Sequence, residues 1–279
     1  MKKIGALVPI RLDSERLPMK ALKMLCGRPV VTHLLDRIEA CRNINSAKDI
    51  VVCTTKEKTD DPLVEIVESY GASIFRGEKN DLIQRFKDTV DKFNFDIILQ
   101  VDGDDPLSET EYMDLTIEAL LKDQSIDTSA SVGLPFGVNV KSFTRTALEK
   151  VISCYRSKHN DTGFALYFTK STICQCKEIP PLNKAHILNN ARLTLDYEED
   201  LTVFKKIFDA LYKPKKVFHL SEVLTFLRSN PDIIKINNAL QNINVDRSRK
   251  KLNIAYQDEY GCIQQRNRKA IKRISEAIG

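Results

Sequence analysis

Four short stretches of this sequence set side chains at spacings that suit chemistry. Pro9-Ile10-Arg11-Leu-Asp-Ser14-Glu-Arg16-Leu-Pro18-Met-Lys20 carries three cations and a hydroxyl between positions 11 and 20. Arginine grips phosphate oxygens through its planar fork and lysine acts as a point charge. A hydroxyl and free loop N–H groups fill the remaining acceptors, so the stretch suits a polyanion. On composition alone, a solvated loop with three surface cations fits equally well. Gln100-Val-Asp102-Gly-Asp104-Asp105-Pro-Leu107 closes an apolar run with three carboxylates. Carboxylates there suit Mg²⁺, which takes one or two of them together with phosphate oxygens and water; a simple Asp-Gly turn is the alternative. In Arg192-Leu-Thr-Leu-Asp196-Tyr-Glu-Glu199-Asp200 the residues by themselves make Asp196 a helix N-cap and put Glu199 and Asp200 in the first turn, where the helix dipole favours them. In Phe75-Arg76-Gly77-Glu-Lys-Asn-Asp81-Leu-Ile-Gln-Arg85-Phe86, Asp81 reads equally as a helix cap or a ligand contact.

The elements that position these stretches alternate. Residues 3–10 are apolar; Val30, Val31, Leu34, Leu35, Ile38 and Cys41 recur at helical spacing after Pro29; Asp49–Thr55 is β-branched and continuous, as in a strand buried on both faces. A second helix from Asp60-Asp-Pro62 to a Gly71 stop, a strand over 72–75, a helix over 81–93 and a strand over 96–101 follow. Ser108-Glu-Thr-Glu111 reads as a capping box for a helix to about Lys122. The pattern predicts an α/β fold with an open, mostly parallel sheet, whose ligands bind beyond the carboxyl ends of the strands, where all four stretches fall. Further on, strands are expected at 129–132, 138–143, 192–195 and 216–219, and helices at 144–153, 198–211 and 221–228. The last forty residues show helical spacing without a strong apolar stripe.

Composition narrows the class. The chain has 279 residues, 42% apolar and 29% charged, with 43 Lys and Arg against 38 Asp and Glu. It is long enough to bury a large core, and no apolar run approaches the roughly 18 residues of a membrane span. The start is too short in its apolar stretch for a signal peptide, so a cytoplasmic location is expected. Seven cysteines, an odd number, and four scattered histidines argue against a disulfide framework or a zinc site; only Cys174-Gln-Cys176 hints at one. The net charge of +5 lies wholly in residues 244–279, where nine cations meet four acids. The first 243 residues therefore sum to zero, and nucleic acid is not the expected partner of the body.

The basic stretch resembles the N-terminal signature of the cytidylyltransferases that activate acidic sugars, the CMP-Kdo and CMP-sialic acid synthetases, and especially their spore-coat polysaccharide branch. Arg11, Ser14, Arg16, Leu17, Pro18 and Lys20 all match, and Ile10 replaces a small residue. Neither a G-x-x-x-x-G-K-[ST] nor a G-x-G-x-x-G run is present. Asp104 falls on the family's metal-binding Asp, and Asp102 stands where relatives usually have Gln or Thr. The R-x-T-x-D-x-x-E-D element matches at Arg192 to Asp200, which makes Asp196 the second metal ligand and Arg192 a substrate-side residue. Phe75 to Phe86 matches the loop beside base and ribose, carrying over Arg76 and Asp81. Where the spore-coat branch shows P-D-G-x-D-V-E, this chain has Pro135-Phe136-Gly137-Val-Asn139-Val-Lys141; a lysine in place of a carboxylate suggests an anionic acceptor contacting Lys141.

The resemblance, spanning about residues 4–205, implies a Rossmann-like sheet of the nucleotide-diphospho-sugar transferase type with a central insertion. It implies a Mg²⁺-dependent enzyme that moves CMP from CTP to an acidic sugar, phosphate or phosphonate. Arg11, Lys20, Asp104 and Asp196 are the expected catalytic residues, and Asp104 and Asp196 the metal ligands. Pro9, Ile10, Arg11, Ser14, Arg16, Lys20, Arg76, Asp81 and Asp102 are expected around the nucleotide. Residues 1–243 are read as the cytidylyltransferase domain, with 128–180 as a homodimer arm, and 244–279 as a basic helical extension. Two other readings stand beside this one. A glycosyltransferase would use Asp102-Gly-Asp104 as its D-x-D pair and release no pyrophosphate from CTP; a tail that binds nucleic acid or a partner would show steep salt dependence.

Overall fold

The computed structural model describes residues 2–157, 160, 163–243, 254–258 and 260–266. Four strands, β1 (Ile4–Pro9), β2 (Ile50–Thr55), β3 (Ser73–Gly77) and β4 (Ile97–Gln100), run parallel in the order β3-β2-β1-β4. β2 and β4 are buried throughout, which is why they read as continuous apolar runs rather than alternating ones. Three more strands, β5 (Thr128–Ser131), β6 (Lys141–Thr144) and β7 (Cys176–Ile179), extend the sheet to seven in the order β3-β2-β1-β4-β6-β5-β7. β6 is antiparallel to both its neighbours, while β5 and β7 are parallel. The sheet order reverses between β1 and β4, and that switch point is where an open α/β sheet leaves a crevice.

Helices α1 (Val30–Glu39), α2 (Asp61–Tyr70), α3 (Leu82–Phe93) and α4 (Thr110–Lys122) form the crossovers. Gly71, at φ +95°, ends α2 in the left-handed region, and Asp81 caps α3 by accepting from Gln84 N at 2.9 Å. The expected capping box at Ser108 does not form. α4 starts at Thr110, and the Glu109 carboxylate accepts from His219 Nδ1 (2.9 Å) and Leu220 N (2.6 Å), which starts α8 (Leu220–Ser229). Between these lie α5 (Arg145–Cys154), capped by Thr144, α6 (Ala165–Thr169) and α7 (Glu198–Leu211).

Two expected strands are absent. Residues 192–195 are buried and extended but paired singly: Leu193 N donates to Phe136 O and Leu195 N to Asp104 O, each at 2.7 Å. Near 216–219 there is only an isolated Lys213–Lys216 bridge. The helical reading of the tail is also corrected for its described part. β8 (Ile254–Gln257) and β9 (Ile263–Arg266) form an antiparallel hairpin, and Ile254 and Tyr256 bury into the body. Ile271, Ile274 and Ile278 lie outside the described residues. One core joins α1, α2, α4, α7 and α8 to one face of the sheet; the other joins α3, α5, α6 and β8 to the opposite face. Among the described residues no helix is long and apolar enough to cross a membrane.

Candidate active site

The chain leaves β1 into a loop that is pinned by its apolar members. Leu12 and Leu17 are buried, Leu12 N donates to the buried Asp60 at 2.9 Å, and Met19 N closes back on Leu12 O at 3.1 Å. With those residues inward, Arg11, Ser14, Arg16 and Lys20 line a cavity of about 530 Å³. Pro9, Ile10, Asp102, Gly103, Asp104 and Asp196 line it too, so nine of the sequence-predicted residues meet in one place. The β4 loop reaches the β1 loop through Gly103: a Cβ there would sit 2.3 Å from Ile10 Cγ1 and 2.6 Å from Pro9 O, the latter being backbone that cannot step aside.

Two carboxylates from distant parts of the chain converge on one cation. Lys20 Nζ lies 2.8 Å from Asp104 Oδ2 and 2.9 Å from Asp196 Oδ1, and Arg16 Nη2 is 2.5 Å from Asp196 Oδ1. Burial alone would lower the Lys20 pKa, but Asp104 and Asp196 outweigh it and hold it above the ordinary value. Arg16 Nε is buried with no hydrogen-bond partner among the described residues. A buried donor left over beside a cluster of cations matches the needs of phosphate oxygens. A point shared by Asp104 and Asp196 also suits a hard divalent cation, whose usual protein ligands are one or two carboxylates.

Asp102 has different partners. Its two oxygens accept from Gln100 Nε2 (2.8 Å) and Lys141 Nζ (3.1 Å), and Lys141 also donates to Gln100 Oε1 (2.6 Å). Burial would raise the Asp102 pKa, yet Lys141 and Gln100 hold it low. The neighbouring Asp105 is pushed well above the carboxylate range by burial and by the charges of Asp104 and Asp102.

Four sequence-predicted residues lie off the cavity lining. Lys141 pairs with Asp102, and the structure does not place it on the cavity lining. Arg192 is 1% exposed, bidentate to Asp200 at 2.9 and 3.0 Å and 3.4 Å from Asp196 Oδ2, so it cannot reach a substrate. It fixes the segment that carries Asp196, while Asp200 accepts from Asp196 N and Tyr197 N at the head of α7. Arg76 turns to Thr55 O, Glu57 O and Asp61. Asp81 caps α3 and holds Tyr155 and Asn160. The cavity also has walls that the sequence did not single out: Leu82, Arg85 and Phe164. Arg85 is 2% exposed and donates to Glu78 O, Lys79 O and Cys53 O; its place in the Asp81-x-x-x-Arg85 helical repeat was the available signal.

A cationic loop facing paired carboxylates at the switch point of a parallel sheet defines a nucleotide-transferring enzyme. Comparison with known proteins specifies which: a cytidylyltransferase family model matches residues 5–277, through the tail as well as the body, and the chain belongs to that family as a CTP-dependent enzyme. The spore coat polysaccharide biosynthesis protein SpsF of Bacillus subtilis is 26% identical over 83% of this chain and 97% of its own. The 3-deoxy-manno-octulosonate cytidylyltransferase of Sodalis glossinidius is 27% identical over 60% of this chain and 62% of its own. A solved cytidylyltransferase from Leptospira borgpetersenii superposes with a TM-score of 0.75 at 28% identity, covering 84% of this chain and 97% of that one.

Proposed function

We propose that the protein transfers CMP from CTP to a hydroxyl of an acidic sugar or a related phosphate or phosphonate acid and releases pyrophosphate, in the service of polysaccharide or glycoconjugate synthesis. The observation that carries this reading is the meeting of Arg11, Arg16 and Lys20 with Asp104 and Asp196 across one cavity. The name of the octulosonate-activating relative supports the acidic acceptor, and that of the spore coat relative supports polysaccharide synthesis. In the reaction the acceptor oxygen bonds to the α-phosphorus as the α–β bridging bond breaks, the hydroxyl proton passes to water, and pyrophosphate departs. Arg11, Arg16 and Lys20 hold the charge that grows on the departing pyrophosphate, so the rate comes from positioning and electrostatics. Asp104 and Asp196 are the residues to hold Mg²⁺, which would polarise the α-phosphoryl oxygen. Asp102, oriented by Lys141 and Gln100, accepts from an acceptor hydroxyl. Because Asp102 faces Lys141 while Asp104 faces Lys20, the carboxylates that share a cation are Asp104 and Asp196 and not a D-x-D pair.

Pyrophosphate release from CTP and Mg²⁺ across a panel of sugar acids, sugar phosphates and phosphonates tests the proposal, with one class expected to turn over. An Asp104→Ala protein that retains near wild-type release would overturn it. Transfer from a ready-made sugar nucleotide without CTP would favour a glycosyltransferase. The working unit is proposed to be a homodimer joined through the 128–180 region, in which β7 is an edge strand and Leu182 beside it is exposed.

A further inference from the structure

The tail that carries all the net charge is, where described, packed into the core behind the wall of the active-site cavity. β8 lies along residues 155–157: Tyr155 and Tyr256 form an antiparallel bridge, Arg156 N donates to Ala255 O at 2.7 Å, and Ala255 N donates to Ser157 Oγ at 3.0 Å and to the Tyr167 hydroxyl at 3.1 Å. Tyr256 is 2% exposed. Its ring meets Tyr167 edge-on at 6.5 Å, and Tyr167 meets Tyr155 edge-on at 6.4 Å. At the far end of this ladder the Tyr155 hydroxyl donates to Asp81 Oδ2 at 2.7 Å.

Asp81 is where the ladder reaches the site. Its other oxygen accepts from Gln84 N (2.9 Å) and from Asn160 Nδ2 (2.7 Å), and Asn160 Oδ1 accepts from Leu82 N and Ile83 N. The first turn of α3 is thus located by the side chains of Tyr155 and Asn160, and Tyr155 is itself held by β8. Leu82 and Arg85 of that turn, with Phe164 just before α6, are cavity walls. Phe164 meets Phe86 of α3 edge-on at 5.5 Å, so helix and wall move together.

We propose that Tyr155, Tyr167 and Tyr256 are positioning residues of the CTP site: through this ladder the C-terminal hairpin fixes the first turn of α3 and Phe164 against the bound nucleotide. The hairpin is then part of the catalytic body. A site of this kind loses affinity when its supporting shell is loosened by a fraction of an ångström, even with every direct contact residue intact.

Isothermal titration of full-length protein with CTP and Mg²⁺ tests this on three variants. Tyr155→Phe keeps the ring and removes only the bond to Asp81; Ala255→Pro removes the N–H that β8 gives to Ser157 and Tyr167. Ile263→Ser alters the exposed strand of the hairpin and is the control. Tyr155→Phe, which loses one hydrogen bond to a charged group, and Ala255→Pro, which loses the N–H shared by Ser157 and Tyr167, are each expected to raise the Kd for CTP about five- to tenfold at near-unit stoichiometry. Ile263→Ser is expected to leave Kd unchanged. A purely structural clamp would lower the melting temperature or the bound fraction and spare Kd, and wild-type Kd in both ladder variants would overturn the proposal. If Ala255→Pro does not fold, Tyr155→Phe decides alone.

Discussion

Lys20 stands between Asp104 and Asp196, and its expected weight in the reaction follows from that place. Lys20→Met removes a preorganised cation from the cavity proposed to hold the phosphates and is expected to lower CTP-dependent turnover by about 10²- to 10³-fold, measured as pyrophosphate release under saturating substrate. Arg192 is a different kind of arginine. With Arg192→Met the buried Asp200 carboxylate loses its counter-charge, so a loss of about 3–5 kcal/mol in urea unfolding is expected. Arg76, in a half-exposed pair with Asp61, is worth little by comparison; Arg76→Ala is expected to change the KM for CTP by less than about threefold. The sequence alone could not separate these three. All are motif cations, and only burial and partners distinguish a cation that faces the cavity from one that braces a loop.

At the scale of elements, close approaches decide what the site can be. Gly137, at φ +96°, lets its loop touch the 192–195 segment; a Cβ there would meet Leu193 C at 2.4 Å. Gly137→Ala is therefore expected to destabilise by a few kcal/mol, on the order of 3, and to show it as a lowered melting temperature. Gly103→Ala should spare more stability and lose more activity, because it pushes the Asp102–Asp104 turn off Pro9 and Ile10. The Glu109–His219 pair ties α4 to α8, and its hydrogen bond to Glu109 raises the His219 pKa against burial. A histidine raised on folding contributes stability that is complete below its unfolded pKa of about 6.5 and is lost as pH rises through the folded value. Glu222 adds to that shift and Arg37 opposes it. The melting temperature of the wild type should accordingly fall as pH rises through that window, with His219→Gln flattening the profile. Elements with a strong apolar pattern, such as β2 and α7, are legible in the sequence; α4's true start is not, because Glu109 serves a helix that begins 111 residues later.

Across the whole molecule, a sheet with its switch point between β1 and β4 gathers residues from both ends of the chain. If the proposed homodimer is right, sedimentation velocity on the full chain should give about twice the mass of the 31.8 kDa monomer; a monomer at micromolar concentration would remove that part of the proposal. The sequence by itself determined the α/β class, the cationic loop, the carboxylate positions and the family, because periodicity and motif spacing are local properties that residues express wherever they fold. Tertiary structure alone decided that Lys20 joins Asp104 to Asp196, that Lys141 neutralises Asp102, that Arg192 is a brace, and that the C-terminal hairpin packs behind the α3 wall. Each of those depends on contacts between residues far apart in the chain, and burial then sets whether a charge meets a ligand or another side chain.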